Sequence, residues 1–130
     1  MIEVSAGALV RDGRVLLALR SPHKLAFPGA WDLPGGVVEA GEPPVEALVR
    51  ELREELAVDV APASASPLCE VTVVPDGGPV RLRAWLVDTW RGEPVNAAPD
   101  EHDALGWFAV DDLPPLAHAS LRAALVAALR

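Results

Sequence analysis

Three glutamates stand together in the run Arg50-Glu51-Leu52-Arg53-Glu54-Glu55-Leu56. On a helix that advances about 100° per residue, Glu51, Glu54 and Glu55 share an arc of roughly 100°. Like charges three or four residues apart each cost about 0.2–0.5 kcal/mol, and Glu51 makes two such pairs. Hard carboxylate oxygens crowded in this way suit a divalent cation, Mg²⁺ or Mn²⁺. The plain alternative is a wet helix surface. It is the weaker reading, because Glu46, Arg50 and Arg53 occupy the arc opposite the apolar stripe of Val45, Leu48, Val49, Leu52 and Leu56 and already supply a solvent face. Ala47 falls in the carboxylate arc one turn earlier, where its small side chain is expected to leave room for the cation.

The wider spacing is more specific. Gly36 is followed after five residues by Glu42, and after seven more by Arg50-Glu51-Leu52, one variable residue, Glu54-Glu55, another variable residue, Ala57 and Val58. This order resembles the signature box of the Nudix hydrolases, with every charged position present. The preceding Trp31-Asp32-Leu33-Pro34-Gly35 resembles the lead-in of MutT-like members. One position departs: the family usually has glycine where this chain has Ala57, and an alanine ending a helix at positive φ is strained.

The resemblance implies a Mg²⁺-dependent enzyme (Mn²⁺ as the alternative ion) that cleaves a phosphoanhydride bond in a nucleoside diphosphate derivative. A nucleoside triphosphate giving monophosphate and pyrophosphate is the leading case. ADP-ribose or a nucleotide sugar is the rival substrate, and a non-catalytic nucleotide-sensing module is the reading from another class. Retention of all three box glutamates favours catalysis. The absence of tyrosine counts against diadenosine polyphosphate members.

By the same resemblance, Glu54, Glu55 and the Gly35 carbonyl are the direct metal ligands. Glu51 either orients and deprotonates the water or serves as a further ligand. Glu42 and Arg50 fix the loop and the carboxylates, with Gly36 completing the box. Glu101 is a further ligand or base, against an equal case for a solvated acidic loop with Asp100 and Asp103. Arg20 is the candidate phosphate contact, since a guanidinium fork matches phosphate oxygens; Lys24 is the weaker one. Phe27, Trp31 and Trp85 could each stack a base or simply fill the core, and His102 reads as exposed polar surface.

Elements of two kinds must position these residues. Glu3 to Val10 and Arg14 to Leu19 read as strands joined by Asp12-Gly13, a hairpin signal. A Pro34-Gly35-Gly36 turn leads to a short strand at Val37-Val38. The box helix spans Pro44 to Leu56, with proline tolerated in its first turn. A flexible Ala/Pro/Ser segment runs to Pro67. Leu68 to Val74 and Val80 to Trp90 read as paired strands across Pro75-Asp76-Gly77-Gly78. A polar loop from Gly92 to Asp103 precedes a strand at Leu105 to Val110. Ser120 to Leu129 reads as a helix with Leu121, Leu125, Ala128 and Leu129 inward. Such a mixture is α+β or α/β. The resemblance sharpens it to an α/β/α sandwich, a mixed sheet between helices, in one domain over residues 1–130.

Composition agrees. The chain has 130 residues and a net charge of −8, which argues against a binder of long nucleic acids. A lone Cys69 with three histidines allows neither an internal disulfide nor a convincing zinc cluster, and Cys69 reads as a buried thiol. No run is long and apolar enough to span a membrane, and no signal-like segment opens the chain. The expected setting is cytoplasmic, the partner a small nucleotide. A homodimer is compatible with the sequence but not written in it.

Overall fold

Ser5 to Leu9 are buried on both sides of the first strand, as in a strand covered by a layer on each face. In the computed structural model, which describes residues 1–24, 27–74 and 78–130, that strand is the spine. The elements run β1 (Ile2–Arg11), β2 (Arg14–Arg20), β3 (Trp31–Asp32), β4 (Gly35–Val37), α1 (Pro44–Leu56), a 3-10 turn (Pro62–Ser64), β5 (Ala65–Val73), β6 (Val80–Val87), β7 (His102–Ala109), a second 3-10 turn (Val110–Asp112) and α2 (Ala119–Leu129).

The strand path is β3-β2-β1-β6-β5, with β4 joined to β1 and β7 to β2. Among the paired strands of the described residues, only β1 and β6 run parallel. The other edge of β1 is shared: Val4 to Ala6 pair with β4, and Val10 and Arg11 pair with β2. Asp12 and Gly13 both take positive φ, the conformation that a two-residue hairpin loop requires.

Side chains alternate along these strands, so two cores form on opposite faces. Ala6, Ala8, Val15 and Leu17 pack with Leu121 and Leu125 of α2. Leu9 and Leu16 pack with Leu48, Leu52 and Leu56 of α1. The result is the expected sandwich. No helix among the described residues is long and apolar enough to cross a membrane.

Helix α1 occupies the expected span and ends at Ala57 with φ 58° and ψ 35°, its amide donating to the Arg53 carbonyl. Alanine therefore adopts the left-handed cap at a cost of about 1 kcal/mol relative to a residue without a Cβ.

Several boundaries differ from expectation. Gly35 and Gly36 belong to β4 rather than to a turn, paired with Ala6 and Ser5. A Cβ on Gly35 would collide with the Ser5 carbonyl oxygen and the Ala6 Cα, so only glycine permits this close pairing. The Ala/Pro/Ser segment is not a flexible run to Pro67: it contains the 3-10 turn, and β5 starts at Ala65. An irregularity in the β5 register falls between Pro67 and Cys69, which accommodates a residue without an amide hydrogen on an edge strand. Cys69 is half-buried, packed against the α2-side core.

Strand β6 stops at Val87, and Trp90 stacks on Trp107 instead. Strand β7 starts three residues early at His102 because pairing with β2 continues to Arg20 through a register shift. Ala128 is exposed, since only Leu121 and Leu125 of α2 are fully covered. Pro75, Asp76 and Gly77 of the expected turn lie outside the described residues.

Candidate active site

The three glutamates of α1 share a face but not an environment. Glu54 is 58% exposed and Glu51 14%, whereas Glu55 is buried at 2%. Ala47, expected to leave space for a cation, is instead fully buried. Helix α1 packs against β1 and β4, and the Ala47 side chain is covered by protein rather than open to a ligand.

Arg50 gathers the surrounding charge. Its Nε and Nη2 donate to the two Glu42 carboxylate oxygens at 2.9 and 3.0 Å, and its Nη1 donates to Glu51 Oε1 at 2.8 Å. Nη2 also donates to the Val37 carbonyl at 3.0 Å, and Nη1 lies 3.6 Å from Glu54. The paired carboxylates of Glu42 and Glu51 hold the guanidinium above its ordinary pKa, and Arg50 in turn holds Glu42 below the usual carboxylate range. Arg50 thus ties the β4–α1 loop to the glutamate face.

Glu51 lies directly over Gly36, where any Cβ would fall on its carboxylate. Glu55 accepts the Gly35 amide at 3.3 Å, so β4 contacts two of the three glutamates. Burial, then the hydrogen bond and charge of Glu51, then the charge of Glu101 push Glu55 up to about 9. It is protonated at neutral pH in the metal-free chain.

His102 is buried, against expectation, with Nε2 3.5 Å from Glu55 Oε1. It opens β7 next to α1, and burial lowers its pKa. Asn96 anchors it by donating to its carbonyl at 2.8 Å.

A cleft of about 470 Å³ collects most of the remaining candidates: Gly35, Gly36, Glu51, Glu101, Arg20 and Lys24 all line it. Glu54 and Glu55 are not part of this lining; one faces solvent and the other is covered by protein. Asp32, His118 and Phe27 line the same cleft. His118 Nε2 lies 3.8 Å and Arg20 Nη1 3.9 Å from Asp32 Oδ2, and the Phe27 ring meets His118 edge-on at 4.5 Å. Burial raises the Asp32 pKa and lowers that of His118, partly offset by their mutual attraction.

Sequence spacing gave no sign that Asp32 and His118 meet, because they are 86 residues apart and are joined by the Trp31–Leu116 bridge and the Ala117 amide on the Trp31 carbonyl. Trp31 packs edge-on against Phe108, and Trp85 joins the α1-side core. Both serve as core.

Among the described residues, no three acidic, histidine or cysteine side chains converge as a ready-made metal site; Arg50 and the proton on Glu55 neutralise the cluster instead. The donors nonetheless fit a hard divalent cation in kind: carboxylates on adjoining turns, one of them held protonated by burial first and by its anionic neighbours second.

That proton has a measurable consequence. A carboxyl whose folded pKa of about 9 exceeds its unfolded value stabilises the fold fully below the unfolded pKa, and the benefit disappears as pH rises through the folded pKa. In chelator, Glu55→Gln, which mimics the protonated form, should match the parent near pH 5 and become more thermostable than it towards pH 9. Calorimetric melting at both pH values checks this; parallel curves would remove the assigned proton.

A family profile for the NUDIX domain matches residues 1–129. The chain is 40% identical over 114 residues to the CTP pyrophosphohydrolase of Escherichia coli, covering 86% of this chain and 78% of that protein. It is 29% identical over 116 residues to the 8-oxo-dGTP diphosphatase of the same organism, covering 88% of each. A MutT NUDIX hydrolase crystal structure from Burkholderia pseudomallei superposes with a TM-score of 0.84 at 41% identity, covering 95% of both chains. Box spacing, sandwich fold and these likenesses agree: the chain belongs to the Nudix family and is a pyrophosphohydrolase of it.

Proposed function

We propose that the protein hydrolyses nucleoside triphosphates to monophosphate and pyrophosphate in a reaction that requires Mg²⁺, with Mn²⁺ as a substitute. The observation that carries this reading is the lining of one cleft, which brings together the acidic Glu51 and Glu101, the glycines of β4, the cations Arg20 and Lys24, and Phe27, Asp32 and His118. That set of groups suits a metal-bound phosphate chain and an attached base. The names of the E. coli relatives, which act on CTP and 8-oxo-dGTP, agree with a triphosphate.

Glu54, Glu55 and the Gly35 carbonyl hold the divalent cation, with Glu101 as a further ligand or base. When bound, such an ion neutralises phosphate oxygens and makes water a better nucleophile. Glu51 orients the water or accepts its proton, and Gly36 leaves the space for that carboxylate. Arg50 and Glu42 keep Glu51 in place. Arg20 binds phosphate oxygens. Asp32 Oδ1 accepts from the Leu33 amide at 2.8 Å, while its Oδ2 lies 3.9 Å from Arg20 Nη1 and 3.8 Å from His118 Nε2, so these polar groups line the cleft together and offer their edges to a base.

A hydrolysis screen with Mg²⁺ over ordinary and damaged nucleoside triphosphates, ADP-ribose and nucleotide sugars tests the reading, with products followed by phosphorus NMR. The expected result is monophosphate and pyrophosphate from at least one triphosphate. Cleavage of ADP-ribose or nucleotide sugars alone would replace the substrate class, and tight nucleotide binding without turnover would make the protein a sensor.

A further inference from the structure

Lys24, one of the two cations that line the cleft, is paired with an acidic residue of the same lining. Its Nζ donates to Glu101 Oε1 at 3.2 Å. Backbone bonds hold the two segments together: the Ser21 amide donates to the Glu101 carbonyl at 2.9 Å, and the Lys24 amide to the Ser21 carbonyl at 3.1 Å. Ser21 and Lys24 are thereby held beside the residue that the ammonium neutralises. Lys24 and Glu101 both line the cleft, along with Glu51 and Arg20.

This pair is built to be exchanged. With the lysine 30% and the glutamate 46% exposed, water screens it and it holds weakly. A lysine ammonium is a mobile point charge well suited to phosphate, and a triphosphate carries more negative charge than one carboxylate. While the ammonium sits on Glu101, that carboxylate offers less charge to a cation.

We propose that Lys24 shields Glu101 in the free enzyme and transfers to the phosphates of an incoming nucleoside triphosphate, freeing Glu101 to bind a divalent cation. The idea rests on the reading of Glu101 as a cation ligand. It makes Lys24 a substrate-binding residue whose removal has opposite effects on the two ligands.

The test uses the full chain and two binding probes, with folding monitored by circular dichroism. Mn²⁺ alone is titrated by electron paramagnetic resonance. The α,β-methylene analogue of CTP is titrated by calorimetry in Mg²⁺. Lys24→Met is expected to bind Mn²⁺ about threefold more tightly, the scale of an exposed ion pair, and the analogue about tenfold more weakly, the scale of a lost charge-assisted hydrogen bond. Lys24→Gln should do the same. In Lys24→Met/Glu101→Gln the gain in Mn²⁺ affinity should vanish. Unchanged or weaker Mn²⁺ binding by the lysine variants, or unchanged analogue binding, overturns the exchange. A parent protein that binds the analogue yet hydrolyses no triphosphate in the screen refutes the proposed reaction without touching the ion-pair result.

Discussion

Glu54→Gln should lower kcat/KM by about 10²–10⁴-fold, the scale on which a carboxylate acting directly in the chemistry is felt, with the melting temperature almost unchanged. The asymmetry follows from exposure. Glu54 is 58% exposed, and among the described residues its ion-pair partner is Arg50 at 3.6 Å, a pair of negligible value to the fold. The amide keeps the shape of the side chain and removes its charge, so it deprives a divalent cation of an anionic ligand without disturbing packing. Steady-state kinetics on whichever triphosphate the screen identifies, together with calorimetric melting, measures both halves. Activity retained within about threefold, well short of the loss expected for an acting group, would mean that Glu54 is surface.

Arg50→Met should act on stability and activity together. One guanidinium bonds to Glu42 twice, to Glu51 and to the Val37 carbonyl, and it approaches Glu39 and Glu54. Its removal leaves several carboxylates repelling one another on one loop and one helix turn. Losing charge-assisted bonds of this kind costs about 2–3 kcal/mol after allowance for partial exposure, which lowers the melting temperature by roughly 6–12 °C in a chain of this length.

A second signature separates charge from packing. Mg²⁺ should stabilise Arg50→Met more than the parent, because the ion replaces neutralisation that the guanidinium provided. Arg50→Lys should recover little, since an ammonium cannot reproduce the fork that engages both Glu42 oxygens. Equal stabilisation of parent and variant by Mg²⁺, measured by calorimetry, would show that Arg50 and a cation do not share these carboxylates.

How much of this was legible in the chain varies with the range of the interaction. The α1 span was readable because its proline start and 3.6-residue apolar stripe are local, and the β1–β2 hairpin because Asp12-Gly13 is local. Boundaries failed where pairing decided them. Gly35 and Gly36 look like a turn until β1 is placed beside them, and His102 looks like loop surface until β2 extends to meet it. Helical periodicity put Ala47 among the glutamates, yet the wheel cannot tell which side of an arc is covered. Its burial follows from the sheet beneath.

The sequence by itself determined the donor types and their order: three glutamates on adjoining turns, an arginine beside them, and glycines ahead. Those facts depend only on helical pitch and residue chemistry. Only the tertiary structure decided which glutamate is buried and protonated, that Lys24 rests on Glu101, and that Asp32 and His118 share a cleft with Phe27. These depend on distances between segments far apart in the chain, and on the desolvation that packing imposes, neither of which is carried by local spacing.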